Sequence, residues 1–190
     1  MVGTALALLA GGGSTRMGRD KALMPVAGVP SLMRLAGLGA ELGMPVLVCG
    51  RERPTDWTGP AARFLPDAVA DEGPLRGLEA ALTVHPDVLL LACDLPLIQA
   101  ADLAWLCAAI CGPYGTACTR AGRIEPLFSR YLVACRSRLA EELRAGRRSP
   151  QRLIAGGGFT LVAAPPDLAV RLADADTPAD WLALAPPPVS

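Results

Sequence analysis

Short apolar runs alternate along the chain with longer segments whose apolar residues recur at the spacing of one helix face. Residues 5–10, 46–49 and 88–93 are apolar almost throughout, which predicts short buried strands. Residues 30–43 and 74–84 lie between these runs and show the helical period. The order strand, helix, strand predicts β-α-β units whose strands are parallel.

The rest of the chain continues this alternation with more polar elements. Helices are predicted over residues 100–110 and 132–144 and after Thr177; strands are predicted over residues 63–65, 115–119, 123–131 and 159–163. Together these elements predict a doubly wound, mostly parallel α/β/α sandwich of Rossmann-like type. It would form one domain over residues 1–185, with residues 186–190 as a frayed tail. Ligands of such sheets bind at the carboxyl ends of the strands.

The composition narrows the class of partner. Apolar residues make up 52% of the 190 residues, and 18 basic residues balance 18 acidic ones. Because no long basic cluster occurs, we expect no nucleic acid and no membrane as the main partner. The six cysteines form no C-x-x-C pair, and we interpret them as small buried residues of a cytoplasmic protein. Neither a signal peptide nor a membrane-spanning run is predicted.

The first apolar run ends in Gly11, Gly12 and Gly13, and positive charge follows at Arg16 and Lys21. Glycines after a strand let backbone N–H groups face an anion with no Cβ in the way, which predicts a polyphosphate site. Lys21 is the only lysine among the 18 basic residues. This bias favours a specific role for its compact ammonium, with an ordinary surface lysine as the alternative.

Two better-known phosphate loops do not match this stretch. A P-loop would need Lys and Ser or Thr where Arg19 and Asp20 follow Gly18. The dinucleotide fingerprint would need a third glycine where Arg16 stands. In both cases the mismatch falls on a residue that carries the mechanism, so the loop belongs to another class.

A carboxylate, Asp94, follows directly after the apolar run at residues 88–93. The end of a central parallel strand is where open α/β sheets bind ligands, and Mg²⁺ favours one or two carboxylates together with substrate phosphates. Asp94 is therefore a candidate metal ligand. The alternative is a helix N-cap for the segment that begins at residue 100, but Asp102 is better placed for that role.

The loop LAGGGSTRMGRDKAL resembles the nucleotide-binding loop of the molybdenum cofactor guanylyltransferases. The segments GPLRGL, ACDLP and EPLF follow in the order of that family, and the resemblance extends from Leu6 to Trp181. It implies GTP as donor, molybdenum-bound molybdopterin as acceptor and Mg²⁺ as cofactor. It is also compatible with a partner protein that delivers or receives the molybdenum cofactor.

The resemblance also assigns roles to residues. It assigns catalysis to Arg16, Lys21 and Asp94, and metal binding to Asp94, with Asp176 as a further ligand. The nucleotide would contact Leu9, Ala10, Gly11, Gly12, Gly13, Lys21, Asp67 and Asp94. Backbone carbonyls near the end of the first strand and the carboxylate of Asp67 could accept the two adjacent donors of guanine.

Two departures keep alternatives open. Asp174 and Asp176 stand where the family has asparagines, and Cys49 stands where it often has another. A cytidylyltransferase, or a transferase acting on another small phosphorylated acceptor, is one alternative. A regulatory nucleotide-binding module without turnover is a second, and a purely structural protein a third. Arg147 and Arg148 either meet an acceptor phosphate or belong to a solvated turn.

Overall fold

The apolar runs form the strands of one sheet. The computed structural model describes residues 3–11, 20–66, 73–173 and 175. In chain order, the strands of this part are β1 (Ala5–Leu9), β2 (Pro25–Val26), β3 (Val29–Pro30), β4 (Val46–Cys49), β5 (Arg63–Leu65), β6 (Asp87–Ala92), β7 (Gly115–Arg120), β8 (Arg123–Leu132) and β9 (Phe159–Ala163). β2 and β3 form a small separate hairpin, and the other seven make the main sheet.

The strand order of the main sheet is β5-β4-β1-β6-β8-β7-β9. Neighbouring strands are parallel except at β8, which runs antiparallel to β6 and β7. The register places Leu9 between Cys49 on one side and Ala92 on the other. The mostly parallel sheet is thus confirmed, and the carboxyl ends of its three central strands meet at one edge.

Helices cover both faces of the sheet. They are α1 (Ser31–Glu41), α2 (Pro74–Val84), α3 (Ala100–Ala108), α4 (Arg136–Arg144), α5 (Pro150–Ala155) and α6 (Pro166–Arg171). One apolar cluster joins α1, α3 and α6 to one face of β1, β4 and β6. A second cluster joins α2, α4 and α5 to the opposite face. Because strand side chains alternate between faces, Leu8 and Leu90 belong to different clusters.

Some predicted boundaries are wrong. α4 begins at Arg136 rather than at residue 132, because Leu132 still pairs with Asp87 in the sheet and Val133–Cys135 form a 3₁₀ turn. α3 ends two residues before its predicted end. The β2–β3 hairpin, α5 and α6 were not predicted, although Ser149 before Pro150 is an N-terminal signal and its Oγ accepts the backbone N–H of Arg152 at 3.4 Å.

The helix predicted after Thr177 and the tail at residues 186–190 lie outside the described residues. The extent of the domain, residues 1–185, stays a prediction. Within the described ranges, no helix is both long enough and apolar enough to cross a membrane.

Candidate active site

A cleft of about 240 Å³ opens at the carboxyl ends of β1, β4 and β6. The edge of the sheet, the start of α2 and the turn before β2 surround it, with Leu127 of β8 completing the wall. The residues at its surface are Leu9, Ala10, Gly11, Asp20, Lys21, Ala22, Cys49, Gly50, Gly73, Pro74, Gly77, Ala92, Cys93, Asp94 and Leu127. This is the position that the sheet direction predicts for a ligand site.

Glycines allow the backbone segments around the cleft to approach closely. A Cβ on Gly11 would lie 2.7 Å from both Cα and O of Gly50. A Cβ on Gly77 would lie 2.4 Å from Cδ2 of Leu9, so α2 packs directly on the end of β1. The backbone N–H of Ala10 donates to the carbonyl of Cys49 at 2.9 Å. The ends of β1, β4 and α2 therefore form one tightly packed floor.

Lys21 and Asp94 meet in the cleft although they are far apart in sequence. Lys21 Nζ donates to Asp94 Oδ2 at 3.3 Å, and their side chains are 22% and 28% exposed. Lys21 begins a 3₁₀ turn, Lys21–Leu23, whereas Asp94 follows the end of β6. The two charges that the sequence analysis singled out are brought together at the end of the central strands.

A second ion pair lies beside the first. Asp20 pairs with Arg51, which follows the end of β4 by two residues, and Asp20 Oδ1 also accepts the backbone N–H of Ala22 at 3.0 Å. Asp20 thus caps the turn that carries Lys21. Sequence reasoning missed both residues. Their available signals were the position of Asp20 directly before the lone lysine and that of Arg51 just after a strand.

The start of α2 forms one wall of the cleft. Gly73, at the N-cap, has φ of 82°, a left-handed conformation that favours glycine, and Pro74 occupies the first turn. The amino end of α2, where the helix dipole is positive, lies at the cleft. Arg148 lies next to this helix start: a Cβ on Gly73 would stand 3.7 Å from Cβ of Arg148.

The two neighbouring arginines differ in their surroundings. Arg147 makes two hydrogen bonds of 2.8 Å to the carboxylate of Glu142, which also raise the pKa of its guanidinium. Arg148 is exposed beside the start of α2. Of the pair, Arg147 is held by α4, and Arg148 is the one beside Gly73 of the cleft wall.

The C-terminal part of the chain reaches the segment that carries Asp94 at Ala175. Its backbone N–H donates to the carbonyl of Asp94 at 2.9 Å, and its side chain is fully buried against Met24 and Val26. Ala175 stands between the two aspartates that depart from the resemblance, Asp174 and Asp176. Both aspartates lie outside the described residues, so the metal role of Asp176 stays a prediction.

The structure brings five of the predicted site residues to one cleft: Leu9, Ala10, Gly11, Lys21 and Asp94. The others lie outside the described residues: Gly12, Gly13, Arg16, Asp67 and Asp176. The roles assigned to all ten stay predictions.

The carboxylates of the cleft suit a cation whose other ligands are mostly water molecules and substrate oxygens. In the described ranges, no group of three or more His, Cys, Asp or Glu side chains is arranged to hold a metal. Among the residues that the structure describes, two carboxylates face the cleft, those of Asp20 and Asp94, and that of Asp20 is engaged by Arg51 and by the backbone of Ala22. Asp94 fits Mg²⁺, which is commonly held by one or two carboxylates together with substrate phosphates.

The thiol of Cys93 lies at the cleft but is unsuited to nucleophilic chemistry. Burial raises its pKa well above the usual value, and the carboxylate of Asp94 raises it further. The thiol therefore stays protonated at neutral pH, and a thiol is a far weaker nucleophile than a thiolate. Charge–charge and backbone contacts carry the chemistry that this cleft can perform.

Residues 6–164 match the family model described as the MobA-like NTP transferase domain. The chain is 35% identical to a probable molybdenum cofactor guanylyltransferase of Synechococcus elongatus, covering 93% of this chain and 95% of that protein. It is 37% identical to a molybdenum cofactor guanylyltransferase of Pseudomonas aeruginosa, covering 90% and 89%. The crystal structure of molybdopterin-guanine dinucleotide biosynthesis protein A from Archaeoglobus fulgidus matches with a TM-score of 0.77 at 18% identity, covering 96% of this chain and 97% of that one, and shows the same fold.

Proposed function

The chain belongs to the family of MobA-like NTP transferase domains and is a nucleotidyltransferase, and we propose that it moves GMP from GTP to the phosphate of molybdenum-bound molybdopterin. The observation that carries this proposal is the meeting of Lys21 and Asp94 in a cleft floored by glycine backbone. The names of the relatives supply the donor and the acceptor.

The proposed reaction is a displacement at the α-phosphorus of GTP. A phosphate oxygen of the acceptor forms a new P–O bond, the bond between the α-phosphorus and the bridging oxygen breaks, and pyrophosphate leaves with that oxygen. The attacking oxygen is already an anion, so no strong general base is needed. Catalysis then depends on positioning and on neutralising charge.

Lys21 would hold the triphosphate by exchanging its present partner. Ion pairs between partly exposed side chains contribute only about 0.2–1 kcal/mol, so releasing Asp94 costs little compared with binding a polyanion. Arg51, paired with Asp20 of the cleft lining, would supply a second cation beside the phosphates. Arg16 and the amides of Gly11 to Gly13 would complete the cradle.

Asp94, released from Lys21, would hold Mg²⁺, with Asp176 as a second ligand. When bound, the metal offsets negative charge on the phosphates. The carboxylate needs no other change for this role, because it already faces the cleft from the end of β6. We further propose that the reaction takes place in the cytoplasm.

Base recognition is assigned to the end of β1 and to Asp67. Guanine presents N1–H and an exocyclic amine side by side, two donors that backbone carbonyls or one carboxylate can accept. Cytosine presents an acceptor beside its amine, so it would leave one of those oxygens unpaired. The second candidate, a cytidylyltransferase, is favoured by the two aspartates on either side of Ala175, whose N–H donates to Asp94.

The test is pyrophosphate release from each of four nucleoside triphosphates, with and without molybdenum cofactor. We expect release that requires the cofactor and is fastest with GTP. Asp94→Asn should lower turnover by about two orders of magnitude, the scale on which one preorganised electrostatic group is lost. Release without any acceptor requirement would contradict the proposed transfer.

A matched control lies at the other end of the same strand. Asp87, at the amino end of β6, pairs with Arg130 through two hydrogen bonds of 2.8 and 2.6 Å. Asp87→Asn should lower the melting temperature yet keep turnover. Asp94→Asn should lower turnover and leave the melting temperature almost unchanged. If Asp94→Asn unfolds the protein or leaves the Mg²⁺ dependence untouched, Asp94 is structural.

A further inference from the structure

The side chain of Ser31 is fully buried, although it is polar, at the start of α1. Its hydroxyl donates to the backbone carbonyl of Cys93 at 2.8 Å. Cys93 is the residue directly before Asp94, so this hydrogen bond holds the chain where β6 delivers its carboxylate to the cleft. A buried hydroxyl needs such a partner, and here the partner adjoins the candidate site.

The backbone of Ser31 connects to the other half of the Lys21–Asp94 pair. Its N–H donates to the carbonyl of Met24 at 2.9 Å, and the N–H of Met24 donates to the carbonyl of Lys21 at 3.2 Å. A continuous path of hydrogen bonds therefore runs from the turn that carries Lys21, through Ser31, to the carbonyl next to Asp94. One residue holds both elements.

The next turn of α1 strengthens this contact. Arg34 Nη2 donates to the carbonyl of Ile98 at 2.6 Å. Residues of α1 thus bind the segment after β6 at both ends, at Cys93 and at Ile98. Ala175 binds the same segment through its N–H to the carbonyl of Asp94. The segment that carries Asp94 is thereby fixed relative to α1, and α1 is fixed relative to the turn that begins at Lys21.

We propose that Ser31 is a positioning residue that sets the placement of Lys21 relative to Asp94. This inference rests on the proposed function, in which those two side chains act on the triphosphate. Ser31 itself touches neither the cleft nor the reacting atoms. Its effect arises because misplacing catalytic groups by about 1 Å can cost on the order of a hundredfold in rate.

The test compares Ser31→Ala with Thr116→Val. Thr116 offers a matched control, since it is also fully buried and its hydroxyl donates to a backbone carbonyl, that of Ile110, at 2.9 Å. Both variants should lose stability to a similar extent. Only Ser31→Ala should lower kcat, by about tenfold, with less than about a threefold change in KM for GTP.

Two further measurements separate positioning from general damage. Adding Ser31→Ala to Asp94→Asn should lower kcat by no more than about twofold, because the position of a carboxylate that is gone no longer matters. A crystal structure of Ser31→Ala should show the Lys21 Nζ to Asp94 Oδ2 distance lengthened from 3.3 Å. If Ser31→Ala does not fold, Ser31→Cys, with a similar size and a weaker donor, should lower kcat by a smaller factor.

The outcomes distinguish the two proposals. If Asp94→Asn retains full turnover, the proposed site is wrong and the role of Ser31 falls with it. If Asp94→Asn is impaired but Ser31→Ala, or Ser31→Cys in its place, has the kcat of Thr116→Val, only the positioning role is overturned. Equal losses from Ser31→Ala in the wild-type and Asp94→Asn backgrounds would also overturn it.

Discussion

Substitution of Gly11 by alanine adds only one methyl group but should displace the backbone that forms the floor of the cleft. The added Cβ would lie 2.7 Å from Cα and O of Gly50, whereas ordinary contacts begin near 3.4 Å. Both atoms belong to the backbone, so no side-chain rotation relieves the clash. The ends of β1 and β4 would have to separate by about 0.7 Å at the point where Ala10 donates to Cys49.

The expected cost of Gly11→Ala follows from that displacement. Overpacking a well-packed site costs about 1–3 kcal/mol. For a domain of this size, each 1 kcal/mol shifts the melting temperature by about 2–4 °C, so we expect a fall of several degrees. Because the displaced backbone faces the cleft that we propose holds the triphosphate, kcat/KM for GTP should fall by about tenfold to a hundredfold.

Gly37→Ala is the matched control. Gly37 lies inside α1, and a Cβ there would meet no atom within 4 Å apart from the backbone of its own helix and its chain neighbours. Alanine in a helix interior is favoured over glycine by about 0.5–1 kcal/mol, so this variant should melt higher and keep its activity. Thermal melts and pyrophosphate release, measured on both variants, test the reasoning. Wild-type melting temperature and kcat/KM in Gly11→Ala would refute the close approach of β1 and β4.

Two other predictions concern side chains at or near the cleft. Lys21→Ala should weaken GTP binding, and Lys21→Arg should also be impaired, because a planar guanidinium is not equivalent to a compact ammonium; full activity of Lys21→Arg in the pyrophosphate assay would make the lone lysine an accident of composition. Thiol reagents at pH 8 should modify the exposed Cys111 first, as mapped by mass spectrometry. Burial raises the pKa of the thiols of Cys93, Cys118 (pKa about 12) and Cys135 (pKa about 11), all of them buried residues. They therefore stay protonated and should react only on unfolding, and early modification would contradict their burial.

Much of the sheet could be predicted from sequence because three of its strands, β1, β4 and β6, are apolar and almost entirely buried. The strands at residues 46–49, 63–65 and 159–163 have the predicted bounds. The hairpin of β2 and β3 could not be predicted, since its strands are two residues long and its turn places Ala27 at φ of 50°. Alanine gives no signal for a left-handed conformation, so Gly28, with φ of 82°, is the one residue of this turn that favours it.

The site was predictable where a local pattern marked it, as the glycine run marked the end of β1 and single residues marked two charges. Lys21 stood out as the single lysine, and Asp94 stood out at the end of the most apolar strand. The Asp20–Arg51 pair joins residues 31 positions apart, and the bond from Ser31 to Cys93 spans 62. Contacts between residues so far apart in sequence depend on how β1, β4, β6 and α1 pack, and no local sequence pattern predicts them.

The choice of base tests the central claim most directly. Equal concentrations of GTP and CTP, offered together with Mg²⁺ and molybdenum cofactor, compete for one enzyme, and the mass of the dinucleotide product reports the ratio of kcat/KM. We predict at least about a tenfold excess of the guanine product, since a buried acceptor left unpaired costs roughly 1–3 kcal/mol. Asp67→Ala should erode this ratio more than it slows transfer from GTP. An excess of the cytosine product would contradict guanylyl transfer and identify the chain as a cytidylyltransferase.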